Sequence, residues 1–454
     1  MAKTTRRLIP VALTGALLLG GTASVTAVPT APTPVNGPAD SVPAVNSPGL
    51  NTVPAKAGPS SGTDPQAAVT AAGRREAAGD KAVINGPVFN DPLSGPGSGT
   101  PSSGQSAVID QLVKLIDAVP ADGTIRLALH EFKADTTQVI PTVTNRLIAA
   151  HQRGASVQII LNSTAKNEPV RQRLAEQLGE KDTGRSWVVG CGVQRGCLAR
   201  NYLHAKFATF SKVVWPDGST DNNVVFQSSS NLTDWYLFHS YNDAYTLSDA
   251  EMYTAYARFF EDLRKGRTQP VNPGYGWTTP TGSTYRALFH PREQTGADPM
   301  VNTLRSVKCS YTENGQRKQT DVRIAMLHFN QNRAAVAEEL LRLRGQGCWI
   351  DIVHAEGGVD ATVASILDRA ASNGQNIQRR SCRITTSGRD IIPHTKVMMI
   401  DGAYDDDIIP RVYTGSANFT HLENSDDSRL RIMGRNAHNA YLSWFYRLRS
   451  VCGG

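Results

Sequence analysis

The chain has 454 residues, of which 40% are hydrophobic and 19% charged, with 39 glycines, 25 prolines and six cysteines. This composition supplies enough apolar material for two or three domains, and it excludes a wholly disordered, collagen-like or coiled-coil protein. The formal net charge is +7, but three of the positive charges (Lys3, Arg6 and Arg7) lie within the first seven residues. The charge of the remaining chain must therefore be considered separately.

The amino terminus has the pattern of a secretory signal peptide. Residues 1–27 combine a basic start, an apolar run and a cleavage-site region of small residues that ends at Ala27. The apolar run, residues 8–21, is shorter than the roughly 20 residues that span a membrane. Removing residues 1–27 leaves 44 Lys and Arg against 40 Asp and Glu, a net charge of +4. We therefore predict a secreted, mildly basic protein whose bulk charge says little about its partner.

Residues 28–83 are rich in Pro, Ser, Thr, Ala and Gly, and this composition predicts a disordered lead segment. Export to an oxidising compartment also changes how the cysteines are interpreted, because an even number then favours disulfides. Six cysteines allow 15 pairings. Proximity favours only the pair Cys191 and Cys197. No Cys-x2-Cys pair with a nearby histidine cluster occurs, so we expect no bound metal and no cofactor.

Two parts of the chain repeat one another. In each part a buried strand is followed by a helical pattern, a glycine and a second strand, which predicts parallel pairing and an α/β fold. The paired segments are 125–132 and 322–329 for the first strands, 143–152 and 335–343 for the helices, and 157–160 and 349–353 for the second strands. A Gly/Pro/Thr-rich break at 266–283 separates the parts. We therefore predict one domain at residues 84–275 and a second at 276–454.

The repeat also carries polar residues with a fixed spacing. Each part has a His-x-Lys triplet, a strand, and then a Ser-x-Asn triplet on the next strand. The residues are His204, Lys206, Ser229 and Asn231 in the first part, and His394, Lys396, Ser416 and Asn418 in the second. Residues two apart on an extended strand project from the same face. Each part therefore presents an imidazole, an ammonium, a hydroxyl and an amide on one patch.

Such a patch suits a phosphoryl group, because Lys, Asn and Ser donate hydrogen bonds to its non-bridging oxygens. With two parts related by pseudo-symmetry, one histidine attacks phosphorus while the other protonates the departing alkoxide. The positive field comes from Lys206 and Lys396, and no metal is needed.

The double pattern His-x-Lys-x4-Asp with Gly-Ser-x-Asn resembles the phospholipase D superfamily, over roughly residues 84–454. The resemblance implies an α/β/α sandwich in each part, with one active site at their interface. It also implies a covalent phosphohistidine on His204, with His394 as general acid and base.

The second motif is complete and includes Asp401, whereas the first departs from the pattern at two positions. Ser211 replaces the aspartate and Ser228 replaces the glycine. The offset of seven from His204 to Ser211 is odd, so a continuous strand points this side chain away from the catalytic face. We therefore interpret the aspartate position as support for the site. A first part that is degenerate and non-catalytic is the alternative.

The resemblance further implies a carboxylate soon after each Asn motif, which fixes the tautomer of a histidine. Asp426 is the candidate in the second part, with Asp427 as the alternative, and Asp243 is the candidate in the first. Glu131 and His328 end strands that the family uses around its site. The aromatic residues after the first Asn motif, which are Trp235, Tyr236 and Phe238, belong either to a lipid-facing rim or to the core.

The resulting prediction is a secreted, monomeric, metal-independent phosphodiesterase resembling phospholipase D. Its predicted substrate is a phospholipid headgroup ester at a membrane or micelle surface, with transfer to a second alcohol where one outcompetes water. A nuclease is the first alternative, although no Lys/Arg stripe with interleaved aromatics is present to follow a nucleic-acid backbone. A non-catalytic member that binds phosphate or lipid is the second, because Ser211 replaces the aspartate.

Overall fold

Two seven-stranded sheets with the same internal order form the framework of the fold. The structure, a computed structural model, describes residues 81–133, 139–294, 297–372 and 374–453. The predicted signal peptide and residues 28–80 of the predicted disordered segment lie outside the described residues. The end of that segment packs against the first half, because the main chain of Val83 forms hydrogen bonds of 2.9 and 2.7 Å with the side-chain amide of Gln111.

The first half is a mixed sheet with helices on its faces. Its strands are β1 (Gly86–Phe89), β2 (Thr124–Leu129), β3 (Ser156–Leu161), β4 (Trp187–Gly190), β5 (Tyr202–Leu203), β6 (Lys206–Val214), β7 (Thr220–Ser228), β8 (Ser240–Tyr241) and β9 (Asp243–Ser248). Its helices are α1 (Ser103–Asp117), α2 (Val139–Gln152), α3 (Glu168–Leu178), α4 (Asp234–Phe238) and α5 (Ala250–Gly266). The order across the sheet is β1-β9-β7-β6-β2-β3-β4, with β2, β3 and β4 parallel.

The second half repeats this arrangement. Its strands are β10 (Tyr285–Phe289), β11 (Ser310–Glu313), β12 (Gln316–Gln319), β13 (Asp321–Met326), β14 (Trp349–Ala355), β15 (Gln378–Cys382), β16 (Ile384–Thr386), β17 (Arg389–Pro393), β18 (Lys396–Asp401), β19 (Arg411–Gly415), β20 (Ser425–Asp426) and β21 (Ser428–Met433). Its helices are α6 (Pro299–Arg305), α7 (Ala334–Gly345), α8 (Ala361–Ser372) and α9 (Arg435–Val451). The order β10-β21-β19-β18-β13-β14-β15 matches the first sheet position by position.

The predicted strand–helix–strand repeats are confirmed, although the first strand of each repeat is shorter than predicted. The helices α2 and α7 are each followed by a glycine at positive φ, Gly154 at 102° and Gly347 at 95°, which is the backbone geometry that commonly ends a helix. The predicted strand 125–132 ends three residues early at Leu129, and its counterpart 322–329 ends three residues early at Met326. The chain leaves the sheet after Leu129 because Leu232 and Glu131 form a main-chain hydrogen bond of 3.0 Å. In the first half, helix α1 begins at Ser103, where Ser102 and Gln105 form a capping box.

The apolar cores explain how the two halves are joined. One core lies outside each sheet, and a further core between the sheets draws residues from both halves. In that shared core Phe89 of the first half stacks on Trp444 of α9, with ring centroids 5.0 Å apart. Correspondingly, Phe289 of the second half packs on Phe259 of α5 at 4.6 Å. The result is a pair of α/β/α sandwiches that share a buried apolar interface.

Two short strand pairings cross between the halves at one end of the sheets. Strand β5, just before the first His-x-Lys triplet, pairs in parallel with β20, just after the second Ser-x-Asn triplet. Strand β17, just before the second His-x-Lys triplet, pairs in parallel with β8, which follows the first Ser-x-Asn triplet. Each half therefore provides the strand beside which the other half places its histidine.

Three disulfides are present among the described residues. The predicted pair Cys191–Cys197 is confirmed, and the others are Cys309–Cys348 and Cys382–Cys452. In the part of the chain that the structure describes, no helix is both long and apolar enough to cross a membrane.

Candidate active site

The cross-half pairings bring the two His-x-Lys triplets to a common centre. The main-chain N–H of His204 donates to the Asp426 carbonyl at 2.9 Å, and that of His394 donates to the Tyr241 carbonyl at the same distance. Both histidines are largely buried, with 12% of the His204 side chain exposed. The site therefore depends on both halves, as expected for an active site at their interface.

Each histidine is held through Nδ1 by a residue of the opposite half, but the two partners differ. His204 Nδ1 lies 2.8 Å from the Asp427 carboxylate, whereas His394 Nδ1 lies 2.9 Å from the side-chain oxygen of Asn242. Both contacts leave Nε2 as the nitrogen that faces the reaction centre. The predicted supports Asp426 and Asp243 thus each lie one residue beside the side chain that holds the ring.

These two carboxylates have other partners. Asp426 accepts hydrogen bonds from the main-chain N–H groups of Cys197, Leu198 and Ala199, at 2.6, 3.1 and 2.7 Å. It therefore holds residues 197–199, which begin at the second cysteine of the Cys191–Cys197 disulfide. Our prediction of Asp426 as a histidine support was wrong, because the parallel pairing of β20 with β5 directs its side chain toward that loop and places Asp427 beside the ring.

Asp243 contacts hydroxyl groups of the second half and not a catalytic histidine. Its carboxylate accepts from Thr395, Thr414 and Tyr441, the last at 3.0 Å. The side chain is fully buried, so these hydroxyls take the place of solvent around the charge. The predicted support Asp243 is therefore an inter-half link, and the residue that contacts His394 is Asn242.

The two lysines are buried beside the histidines. Lys206 Nζ lies 2.5 Å from the His204 carbonyl oxygen, and Lys396 Nζ lies 3.1 and 3.2 Å from the two ring nitrogens of His394. Within the described residues neither ammonium forms an ion pair with a carboxylate. Burial lowers the pKa of Lys206 to about 7 and that of Lys396 well below its usual range. An anionic ligand between these ammoniums would restore their ordinary charge.

The two asparagines are oriented by main-chain donors at equivalent positions. The side-chain oxygen of Asn231 accepts from the N–H of Glu131 at 3.2 Å, and that of Asn418 accepts from the N–H of His328 at 3.3 Å. Because the oxygen of each amide is occupied, its NH2 group is the end available to an anion. The predicted importance of Glu131 and His328 thus lies in their main-chain N–H groups, which position the amides.

The two serines of the Ser-x-Asn triplets have a structural role. Ser229 Oγ accepts from the N–H of Asp243 at 3.0 Å, and Ser416 Oγ accepts from the N–H of Ser428 at 3.1 Å. Both side chains are completely buried. These hydroxyls join each motif to the following strand. They therefore have the supporting role that was predicted, and not the role of hydrogen-bond donors to phosphate.

The aspartate position of each motif lies away from the histidines, as its odd offset predicts. Ser211 Oγ accepts from the main-chain N–H of Thr124 at 2.9 Å and thereby ties β6 to the start of β2. In the second half Asp401 occupies the end of β18 and pairs with Arg435 at 2.5 Å. Ser228, which replaces the motif glycine, donates to the Asp243 carbonyl at 3.0 Å. The replacements in the first motif therefore alter the scaffold and leave His204 and Lys206 in place.

Further side chains complete the rim of the site. His130, which belongs to neither sequence motif and was therefore missed, lies with its ring 5.1 Å from that of His204, and its Nδ1 contacts the Leu203 carbonyl at 2.7 Å. The rings of Trp235 and Tyr236 lie 6.0 and 4.9 Å from that of His394. Trp235 is 39% exposed, while Tyr236 and Phe238 are buried. Of the three aromatics, only Trp235 thus belongs to an exposed rim.

The electrostatics of the site disfavour positive charge on the histidines. Burial, together with the Lys206 charge, lowers the pKa of His204 to about 4, although Asp427 opposes this effect. Burial and the charges of Lys396, Lys206 and His204 lower the pKa of His394 well below its usual range. The interaction with His204 holds the pKa of Asp427 far below its usual range, despite the opposing effect of burial. His204 is therefore a neutral imidazole beside an ionised carboxylate at neutral pH.

The acidic and sulfur-containing side chains of the described residues do not form a site that fits a resident metal ion. The only cluster of three potential ligands there is Cys191, Cys197 and Asp426. Both sulfurs of this cluster belong to a disulfide, and the carboxylate is occupied by main-chain donors.

Sequence comparison places this geometry in a family. A family profile described as "Cardiolipin synthase, PLD-like domain" matches residues 118–264 and 316–449, which together make up more than half of the chain. The chain belongs to the phospholipase D superfamily. Members of this superfamily are phosphodiester-active enzymes. No curated protein sequence matches this phospholipase D-like chain.

Solved structures extend the comparison to the fold. The phosphatidylserine synthase of Haemophilus influenzae Rd KW20 superposes with a TM-score of 0.51 at 11% identity, covering 76% of this chain and 84% of that chain. The polyphosphate kinase of Porphyromonas gingivalis gives 0.47 at 14% identity, over 74% of this chain, which spans only 48% of that protein. Nuc of Salmonella typhimurium, a phospholipase D family member, gives 0.25 at 19% identity, over 33% of this chain and 84% of that one. The likeness to the synthase shows a shared fold.

Proposed function

We propose that this phospholipase D-like chain is a metal-independent phosphodiesterase that hydrolyses phospholipid headgroup esters through a phosphohistidine. The observation that carries the proposal is the unequal support of the two histidines. His204 donates from Nδ1 to the Asp427 carboxylate, whereas His394 donates to the neutral Asn242 amide. A carboxylate raises the basicity of the opposite ring nitrogen, and an amide does so much less.

This difference supports distinct roles for the two rings. In the first step Nε2 of neutral His204 attacks phosphorus while the P–O bond to the headgroup breaks. His394, whose protonation is favoured by the negative charge of the bound phosphodiester, transfers its proton to the departing oxygen. In the second step His394 removes a proton from water, the resulting hydroxide attacks phosphorus, and the P–N bond to His204 breaks. Phosphatidic acid is released, and an alcohol in place of water gives the transfer product.

The two lysines and the two asparagines hold the phosphoryl oxygens through both steps. Lys206 and Lys396 are buried and have no carboxylate partner within the described residues, so a phosphodiester anion would provide their counter-charge. The NH2 groups of Asn231 and Asn418 point away from their locked oxygens and supply further donors. Because these donors are preorganised, stabilisation of the charged transition state requires no rearrangement.

Two features support a lipid substrate. The matching family profile is described as a cardiolipin synthase domain, and cardiolipin is a phospholipid. The half-exposed ring of Trp235, close to the ring of His394, gives the site an apolar edge on the leaving-group side. As the sequence predicts, we further propose that the protein is exported and acts as a monomer at a lipid surface.

A leaving-group experiment tests the assignment of roles. A p-nitrophenyl phosphodiester has a leaving group that needs no proton, whereas a choline phospholipid has an alkoxide that does. His394→Asn should lose most activity on the phospholipid. On the nitrophenyl ester it should keep the first step and release a burst of nitrophenolate, after which the phosphohistidine accumulates because the second step still needs His394 as the base. His204→Asn should lose both activities, together with the acid-labile phosphohistidine that is trapped from a labelled substrate.

The matched control is His151→Asn, because His151 lies on α2 and contacts Ser186 outside the site. Assays in chelator with phospholipids and with DNA separate the alternatives. Cleavage of DNA alone would replace the lipase proposal with a nuclease. The absence of both turnover and a covalent intermediate for every substrate would leave a non-catalytic binding protein.

A further inference from the structure

A cavity on the outer face of the second sheet is lined by four arginines. It has a volume of about 720 Å³ and lies between the 278–283 segment, helix α6 and the loop that precedes β19. The arginines are Arg286 on β10, Arg292, Arg411 on β19 and Arg431 on β21. The histidine site lies at the interface of the two halves, whereas this cavity adjoins the core on the outer face. The two are therefore separate sites.

The cavity exists because one helix differs in length between the two halves. In the first half the equivalent face, between β1 and β2, is covered by α1, which has 15 residues and buries Val108 and Leu112. In the second half the corresponding helix α6 has 7 residues. The shorter helix leaves the outer face of β10, β21 and β19 uncovered beyond Leu288.

The arginines have no counterparts in the first half, although the two sheets match position by position. Applying the common strand register, Arg286 corresponds to Gly86 and Arg431 to Thr246. In the second half Arg286 and Arg431 lie directly opposite each other on neighbouring antiparallel strands. Like charges in this position destabilise a sheet. A negative charge near the pair would offset this repulsion.

The described residues do not provide that charge. Arg286, Arg292 and Arg431 form no ion pair with any described carboxylate, and their hydrogen bonds go to neutral oxygens of Thr279, Thr278 and Ser283, at 3.0, 2.6 and 2.7 Å. Arg431 is only 5% exposed, and its Nε has no partner among the described residues. Burial, with a contribution from the Arg411 charge, lowers the pKa of both Arg286 and Arg431.

The acidic residues in the cavity wall are engaged elsewhere. Asp407 pairs with Arg411, whose guanidinium also stacks on the Tyr404 ring at 3.4 Å. Asp405 lies 3.7 Å from Lys308, and its side chain is 70% exposed. Asp406 is 81% exposed and lies 3.6 Å from Arg411. The other three guanidiniums thus remain available to a ligand.

We infer that this cavity is a second anion site, built to bind the phosphate group of a phosphorylated organic molecule. Guanidinium groups bind phosphate oxygens through paired N–H donors, so three of them suit one phosphate. The hydroxyl of Thr281 and the amide of Asn302 add neutral donors. The volume is far larger than a free phosphate needs and falls within the range of small-molecule pockets, roughly 300–1,000 Å³. The apolar wall formed by Leu288, Ile409 and Met433 suits the organic part.

Equilibrium dialysis of the full chain with labelled inorganic phosphate tests this inference. We expect two sites, of which Lys206→Met removes the one between the histidines. Arg286→Gln should weaken the other by about 10- to 100-fold, as expected for loss of a charged hydrogen-bond donor, while catalytic turnover stays unchanged. Arg292→Gln provides a second variant at a half-exposed position, and Arg317→Gln, an exposed arginine on β12, is the matched control.

Two further ligands identify the source of the phosphate. If glycerol 3-phosphate stabilises the wild-type protein against unfolding but does not stabilise Arg286→Gln, the ligand of the cavity is a soluble phosphomonoester. If the protein binds phosphatidylcholine vesicles only when they contain phosphatidic acid, and Arg286→Gln abolishes this binding, the ligand of the cavity is a lipid phosphate. The inference is overturned if phosphate binds at one site that Lys206→Met removes, or if Arg286→Gln and Arg317→Gln bind it equally. Neither outcome depends on whether the chain hydrolyses phospholipids.

Discussion

Exchanging the partners of the two histidines should lower turnover in both variants but shift opposite limbs of the pH profile. In Asp427→Asn the 2.8 Å contact to His204 Nδ1 remains sterically possible, but the negative charge is lost. A buried hydrogen bond to a charged group contributes roughly 1.5–3 kcal/mol. If the nucleophilic step uses this stabilisation fully, kcat falls by about 10- to 150-fold, at 1.36 kcal/mol per tenfold. Misorientation of the ring would increase the loss toward the roughly 10⁴-fold that is known for the equivalent change in serine proteases.

The reciprocal variant Asn242→Asp places a carboxylate 2.9 Å from His394 Nδ1. Because a nearby negative charge favours the imidazolium, the pKa of His394 rises and the ring becomes a weaker acid. The alkaline limb of the kcat profile should therefore move to higher pH, and turnover at the original optimum should fall. In Asp427→Asn the pKa of His204 falls further, so the acid limb of kcat/KM should move to lower pH.

The assay is choline release from a choline phospholipid, measured between pH 4 and pH 9, with trapped phosphohistidine as a second readout. The control is Asp426→Asn, which alters the loop at Cys197 but does not touch a catalytic ring. The reasoning is refuted if Asp427→Asn retains the wild-type kcat and pH profile. It is also refuted if Asn242→Asp and Asp427→Asn shift the same limb of the profile.

Three further predictions concern stability. Burial lowers the pKa of His130 to about 2, so between about pH 3 and 6 the unfolded chain binds a proton that the folded chain does not. The wild-type free energy of unfolding therefore falls as pH falls. Measured by urea titration over this pH range, its dependence on pH should be weaker in His130→Gln by about 1.4 kcal/mol per pH unit. Equal pH dependence in the two proteins would contradict the burial argument. Ser211→Ala should lower the free energy of unfolding by about 0.5–1.5 kcal/mol with kcat unchanged, whereas a large loss of kcat would revive a catalytic role for the aspartate position. Replacing Cys382 and Cys452, which are 70 residues apart, by serine should lower the free energy of unfolding by about 4 kcal/mol. This is roughly twice the loss expected for the Cys191–Cys197 disulfide, whose cysteines are 6 residues apart. Calorimetry that showed the reverse order would reject this ranking.

The architecture and the reactive groups were predictable because they rest on local patterns. Strand periodicity, the repeat and the glycines after the paired helices predict both sheets, and the two-residue spacing predicts the lysine beside each histidine. The odd offset likewise predicts that Ser211 lies away from the catalytic face, which its contact with Thr124 confirms. Each of these inferences needs only residues that are close together in the chain.

The sequence leaves Asp426 and Asp427 as alternatives for the support of a histidine, of which the structure confirms Asp427, and it does not indicate Asn242 at all. Asp427 and His204 are 223 positions apart, and the pairing of β5 with β20 decides which of two adjacent acids faces the ring. Because successive side chains on a strand point in opposite directions, an error of one residue in the register selects Asp426. The same error selects Asp243 in place of Asn242. His130 was missed because it lies just past the end of a strand, where no spacing rule applies.

The crossed pairing of β5 with β20 and of β17 with β8 has a consequence for how such an enzyme diverges. In a symmetric dimer of identical half-length chains, each histidine would meet the same residue of the other subunit, because a two-fold axis makes both contacts equal. Joining the two copies in one chain removes that constraint. One position can then retain an acid, Asp427, while its twin becomes an amide, Asn242. Covalent linkage thus allows the attacking and the proton-transferring ring to be adjusted independently.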